Sequence, residues 1–180
     1  MVKRVHIIAA HPDDELLGCG GAILYHLNKG DKVRITIVAE GLTSRGNKSK
    51  NIKKNNEITA LKNITKSICK KIGVKELDFL DFADNRLDNY NLLDVIKPIE
   101  KIINNFKPDI IYTHHFGDLN KDHEIVNRAV MTATRPKPNS FVKKIYSFEV
   151  LSSTNWSINN SGLVFVPNYF LNISKFLKKK

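Results

Sequence analysis

Short apolar runs alternate with longer stretches of helical periodicity along this chain, and that alternation limits the folds open to it. Arg4-Val-His-Ile-Ile-Ala-Ala10 is nearly continuous in apolar residues, as a strand buried on both faces of a parallel sheet requires. Residues 14–29 read as a helix that ends at Asn28-Lys29-Gly30, with glycine in the usual C-terminal place. Val33–Ala39 is a second strand, and Ile58, Leu61, Ile64, Thr65, Ile68 and Ile72 form the stripe of a second helix closed by Gly73. A short strand near Leu77–Leu80 follows, then a helix carrying Leu92, Val95, Ile96, Ile99, Ile102, Ile103 and Phe106, and a strand Ile110–Thr113. A helix over 121–134 and a strand Lys144–Val150 continue the pattern, with Leu163–Val166 and Tyr169–Ile173 as further strand candidates. Such a βαβ succession predicts an α/β, Rossmann-like three-layer sandwich with a mainly parallel sheet and binding chemistry at the carboxyl ends of the strands.

With 180 residues and 42% hydrophobic positions, the chain is expected to be one domain over 1–180. No stretch nears the ~20 apolar residues of a membrane helix, and no apolar signal segment follows Met1, so a cytoplasmic protein is expected. The two cysteines, Cys19 and Cys69, form no CxxC pair and read as reduced core residues. The formal charge of +11 invites a nucleic-acid reading. Its make-up argues against one: 23 Lys against 6 Arg, with 19 Asn and 20 Ile, is what AT-rich codons yield whatever the function. The lysines are also dispersed, without interleaved aromatics or arginine clusters, so no nucleic-acid partner is expected.

A Rossmann-like fold first raises a dinucleotide site, and Gly18-Cys-Gly-Gly21 with Glu40 downstream is a near miss for that fingerprint. The glycines fall inside the first helix rather than in the turn after strand one, and read instead as places where the helix packs closely on the sheet. The actual turn is His11-Pro12-Asp13-Asp14-Glu15, whose three acids would repel a pyrophosphate and attract a cation. Helix capping alone would explain that cluster. A second cluster, His114-His-Phe-Gly-Asp-Leu-Asn-Lys-Asp-His123, follows the strand ending at Thr113, and two parallel strand ends can meet at one rim. His6 and His26, away from both clusters, read as packing or surface residues. One His and one carboxylate from the first turn with a His from the second make an N,N,O set that suits Zn2+ with a position left open, the mark of a catalytic site. A zinc ion so held acidifies a water and polarises a carbonyl, and the remaining carboxylate can act as general base, which describes a hydrolase. Composition alone leaves open which acid ligates and which acts as base.

Ala10-His-Pro-Asp-Asp-Glu15 followed by Asp118-Leu-Asn-Lys-Asp-His123 resembles the PIG-L/LmbE-like family of zinc-dependent de-N-acetylases, over roughly residues 1–155. Glu40–Arg45, Asp84-Asn-Arg86 and Thr132–Pro136 fall within the resemblance. It implies removal of acetyl from N-acetylated amino sugars such as N-acetylglucosamine, free or linked to a nucleotide, lipid or thiol. Residue by residue, it implies that His11, Asp14 and His123 bind zinc and that Asp13 is the general base. Glu15 then serves as a helix-start acid behind the ligands, and Asp122 orients a ligand from behind.

One departure matters. Where the family has a histidine three residues before the zinc-binding one, this chain has Asn120, which can donate a hydrogen bond to an oxyanion but supplies no titratable proton. The acid is then His114 or His115, or Asp13 acts as both base and acid. Arg45 and Arg86, with Asp84 beside the latter, are candidates for contact with sugar hydroxyls or a phosphate. Trp156 is either a sugar-stacking residue or a packing anchor. Family members continue into a closing helix where this chain stops at Lys180, which predicts exposed apolar surface and allows a homo-oligomer that covers it. Two other readings stay open: a metal-dependent hydrolase of another amide or ester bond, and an inactive family member acting as a binding domain.

Overall fold

The structure is a computed structural model that describes residues 1–44, 51–138, 140–156 and 164–178. Strands β1 (Arg4–Ala9), β2 (Lys32–Ala39), β3 (Glu76–Phe82), β4 (Ile110–His114) and β5 (Lys144–Phe148) form one sheet, and each of its pairings is parallel. Helices α1 (Asp14–Asn28), α2 (Asn51–Ile72), α3 (Leu92–Phe106) and α4 (Lys121–Ala133) connect successive strands, as the alternation requires.

Strand periodicity produces the layers. Val5, Ile7 and Ala9 of β1 face a core completed by Cys19 and Ile23 of α1 and Cys69 of α2. Ile8 and Ala10 point the other way, toward Val95, Ile96 and Ile99 of α3 and Val126, Ala129 and Val130 of α4. Each such aliphatic side chain contributes about 1.5–3 kcal/mol on full burial, so β1, apolar on both faces, is the centre of the fold. Gly18 shows how closely α1 lies on the sheet, since a Cβ there would stand 2.2 Å from the Phe148 ring of β5. Gly21 differs from the expectation, for its Cβ would meet Ile173 of the C-terminal segment rather than the sheet.

The strand order is β3-β2-β1-β4-β5. The winding therefore reverses between β1 and β4, whose following helices go to opposite faces and leave a crevice at their carboxyl ends.

The C-terminal expectations need correction. Neither the described part of Leu163–Val166 nor Tyr169–Ile173 is a strand, and Leu163 lies outside the described residues. Pro167 offers no donor to a ladder there. The segment instead lies against α1 and β5 through side chains, with Tyr169 stacked on Tyr146 at 4.3 Å and Ile173 over Gly21. Trp156 ends a short 3-10 helix, Thr154–Trp156, and is 66% exposed, so it does not anchor the packing.

Candidate metal centre and active site

The turn after β1 is shaped by its own acids. Asp13 precedes α1 with φ 153°, a backbone conformation that side-chain-bearing residues rarely adopt. Two carboxylates hold it: Glu15 accepts from the Asp13 N–H at 2.9 Å, and Asp14 Oδ2 accepts from the His11 N–H at 2.9 Å. As a result Asp14 is buried while Asp13 is exposed. Burial pushes the Glu15 carboxyl up to about 7. Across the crevice, Gly41 after β2 has φ +82°, and a Cβ there would stand 2.7 Å from Pro12, so the loop needs glycine on both counts.

The second turn places His123 by helix capping. Asn120 Oδ1 accepts from the Asp122 N–H at 2.9 Å, and Asp118 Oδ1 accepts from the Asn120 N–H at 2.9 Å. His123 consequently sits in the first turn of α4, facing the turn after β1.

Carboxylates decide which ring nitrogens point into the crevice. Asp122 accepts the N–H groups of Asn85 (2.8 Å) and Leu87 (3.0 Å), and its Oδ2 lies 3.1 Å from His11 Nε2, with Asp84 Oδ1 at 3.3 Å from the same nitrogen. Since a carboxylate only accepts, Asp122 and Asp84 hold a proton on His11 Nε2, so Nδ1, which faces Asp14 Oδ2 at 3.2 Å, is the nitrogen a cation could take once its own proton is displaced. Asp118 Oδ2 does the same to His123 Nδ1 at 3.2 Å, and the buried Nε2, 3.1 Å from Asp14 Oδ2, has no hydrogen-bond partner among the described residues. His11, Asp14 and His123 thus bring two ring nitrogens and a carboxylate oxygen within 4.8 Å of one another. An orphaned buried nitrogen beside a carboxylate, in an N,N,O set, fits a divalent ion such as Zn2+.

The electrostatics agree. Burial opposes charge on His11, yet the hydrogen bonds to Asp122 and Asp14 outweigh it and raise the ring to about 10. His123 is also raised, burial being outweighed by Asp118 and Asp14. Asp14, despite burial, is held far below the usual carboxylate range by His11 and His123. Two imidazoles drawn toward the charged form mark a negative potential that attracts cations. A second group, His11 with Asp84 and Asp122, has ligand atoms similarly close, but these are the contacts that hold His11 Nε2–H.

A cavity of about 270 Å3 opens over the centre, lined by Asp13, Asp14, His123, Asn120, Asn85 and Ser153 among others. Asn120 is one of the lining residues, and its Nδ2 donates to Asn85 Oδ1 at 3.3 Å.

Neither histidine proposed as proton donor lines that cavity, a correction to the expectation. His114 is fully buried and stacked on His123 at 3.8 Å; its Nε2 accepts from the Ala10 N–H at 2.8 Å, and burial and then His123 lower its pKa to about 3. His115 lines a separate groove beside β5 and packs on Phe116 and Phe165.

The candidate substrate contacts also divide. Asp84 is buried, accepts from the Ser44 hydroxyl and lies against His11, so it braces that ring as well as reaching the cavity wall. Arg86 is exposed and not among the lining residues, and Arg45 lies outside the described residues. Sequence reasoning assigned no role to Asp118, Asn85, Ser153 or Thr154. Only Asp118 left a signal, an acid five positions before the zinc-type histidine.

Among the described residues no helix is long and apolar enough to cross a membrane. Over residues 6–134 the chain matches the family described as GlcNAc-PI de-N-acetylase, PIG-L. It is 28% identical over 183 residues to the probable N-acetyl-alpha-D-glucosaminyl L-malate deacetylase 2 of Bacillus cereus, covering 100% of this chain and 80% of that protein. It is 31% identical over 184 residues to the uncharacterized deacetylase YaiS of Escherichia coli, covering 96% of this chain and 83% of that one. The N,N'-diacetylchitobiose deacetylase of Pyrococcus horikoshii shares the fold, with a TM-score of 0.77 at 19% identity over 98% of this chain. This chain spans 66% of that structure's length, just under two thirds. The matched stretch, more than half of the chain, contains both turns whose side chains converge over the crevice, and the protein belongs to the PIG-L family.

Proposed function

We propose that this protein is a zinc-dependent hydrolase that removes the acetyl group from an N-acetylated amino sugar or sugar conjugate. The observation that carries the reading is the convergence of His11 Nδ1, Asp14 Oδ2 and His123 Nε2 beneath a cavity lined by an exposed second carboxylate, Asp13. A zinc ion held by those three residues would polarise the acetyl carbonyl and acidify a water.

The remaining work falls to the chain itself. Asp13, exposed beside the buried Asp14, takes the proton of the attacking water as its oxygen bonds to the acetyl carbon. One N–H of the Asn120 carboxamide is engaged by Asn85, and the other is available to the developing oxyanion. With His114 turned onto the Ala10 backbone and His115 in a separate groove, Asp13 also returns the proton to the sugar nitrogen as the C–N bond breaks. Acetate and a free amine result. Asn120 favours one second reading, hydrolysis of an ester, whose leaving oxygen needs less help from a proton donor than an amine does.

The test is acetate release from free, nucleotide-linked, lipid-linked and thiol-linked N-acetylglucosamine derivatives, run beside a zinc determination. Stoichiometric zinc with acetate from at least one derivative is expected. Zinc without acetate from any derivative would turn the assignment to another bond, and neither zinc nor acetate to a binding role.

A further inference from the structure

The loop after β5 reaches back to the metal centre from beyond the stretch that matches the family, residues 6–134. Its contact point is Asp118. Thr154 Oγ1 donates to Asp118 Oδ2 at 2.5 Å and Ser153 Oγ donates to the same oxygen at 3.1 Å, where His123 Nδ1 also lies at 3.2 Å. The other oxygen accepts the Asn120 N–H. Oδ2 thus draws three partners and Oδ1 one, a set that fixes the plane of the carboxylate. The Asp118 side chain is fully buried, and Thr154 is itself held because its hydroxyl oxygen accepts from the Val150 N–H at 2.8 Å.

We propose that Thr154, with Ser153 beside it, is a positioning residue that locks the Asp118 carboxylate and through it aims His123 Nε2 at the metal. Without the two hydroxyls the carboxylate can turn about its Cβ–Cγ bond, and the imidazole loses the acceptor that fixes its tautomer and ring orientation. The lock consists of hydroxyls because each supplies a proton to an acceptor-only group without adding charge beside the cation. Ser153 lines the cavity as well, so the loop that steadies the histidine also forms part of the substrate's wall.

The inference rests on the metal-site part of the proposed function and is read by zinc affinity rather than by acetate release. Zinc dissociation constants from chelator competition, with melting curves of the metal-free proteins, should be compared for wild type, Thr154→Val, Thr154→Ser and Ser153→Ala. Thr154→Val should bind zinc about 10-fold more weakly, and Thr154→Ser, which keeps the hydroxyl, should match wild type. A merely structural Thr154 would lower the melting temperature and leave the affinity of the folded protein unchanged, which overturns the proposal. Thr154→Val also strips the Val150 N–H of its acceptor. Should that variant fail to fold, Ser153→Ala decides, with a few-fold loss of affinity expected and wild-type affinity overturning the proposal. A wild-type protein that binds zinc but releases no acetate defeats the deacetylase reading and leaves this one standing, whereas one without zinc affinity defeats both.

Discussion

Adjacent residues in the first turn carry different duties because one is buried and the other is not. Asp14 lies between His11 and His123, while Asp13 is exposed on the cavity wall. Asp13→Asn should therefore keep zinc bound and lower kcat by roughly 10²–10⁴, and metal analysis of the inactive variant checks the order of the two acids, since lost zinc would reverse it. His123→Ala should lose zinc and turnover while keeping the far-ultraviolet dichroism of the α/β core, and normal metal content in it would remove His123 from the ligand set. Asn120→Ala, measured by kcat, should cost on the order of 10²–10³ if its free N–H meets the oxyanion, and wild-type turnover would place it outside the reaction. At this scale the residues that converge, His11, Asp14 and His123, and their two turns were legible in sequence, since metal chemistry demands few residue kinds. Orientation was not. His114 and His115 read alike as letters, and only the sheet shows that one ring accepts from Ala10 and the other lies in a separate groove. The hydroxyls of Ser153 and Thr154 were invisible for a similar reason, because serine and threonine in a loop carry no periodic mark.

Helices and strands were legible where burial imposes a period. β1, β2, β4, α1, α3 and α4 lie within about two residues of where apolar spacing puts them, because each buries one or both faces against the same sheet. The C-terminal segment defeated that logic: its Val, Phe and Tyr residues look like strand, yet its described residues join no sheet ladder and meet β5 and α1 through Tyr169 and Ile173. Gly18 tests the helix–sheet contact directly. Gly18→Ala should destabilise the protein by about 1–3 kcal/mol, seen as a fall in melting temperature, because its Cβ would overlap Phe148. His6 in β1 gives a pH-dependent case. It is fully buried and bonded to Thr36, and burial, then Arg34, lowers its pKa to about 3. The unfolded chain takes up this proton near pH 6.5 and the folded one does not, so the folded-state advantage present above that pH is lost as pH falls from 6.5 toward 3. The slope from one such group is at most about 1.4 kcal/mol per pH unit. Urea unfolding at pH 7 and pH 5 should show it, and His6→Gln, which cannot titrate, should lessen it.

For the whole molecule, the proposed ligand set joins two crossover units into one centre, so an ion that binds only the native arrangement would stabilise the entire domain. Chelation should abolish turnover and lower the melting temperature, and zinc should restore both; at 100 times the dissociation constant the linkage is worth about 2.7 kcal/mol. An unchanged melting temperature after verified metal removal would show that the ion does not couple to the fold. The architecture was legible in sequence because alternating strands and helices leave few topologies, whereas the reversal of winding between β1 and β4 became visible only in the strand order. That reversal also bears on the order of events as the chain is made. His114 closes onto Ala10 across 104 positions, and β4 joins β1 only after β2 and β3 have been produced between them. Closing so long a loop is slow, and no earlier fragment on the ribosome holds both imidazoles. Metal uptake is therefore a clock for the joining of β4 to β1, and in refolding experiments zinc capture should follow the tertiary phase that closes this pair rather than the burst of helix formation.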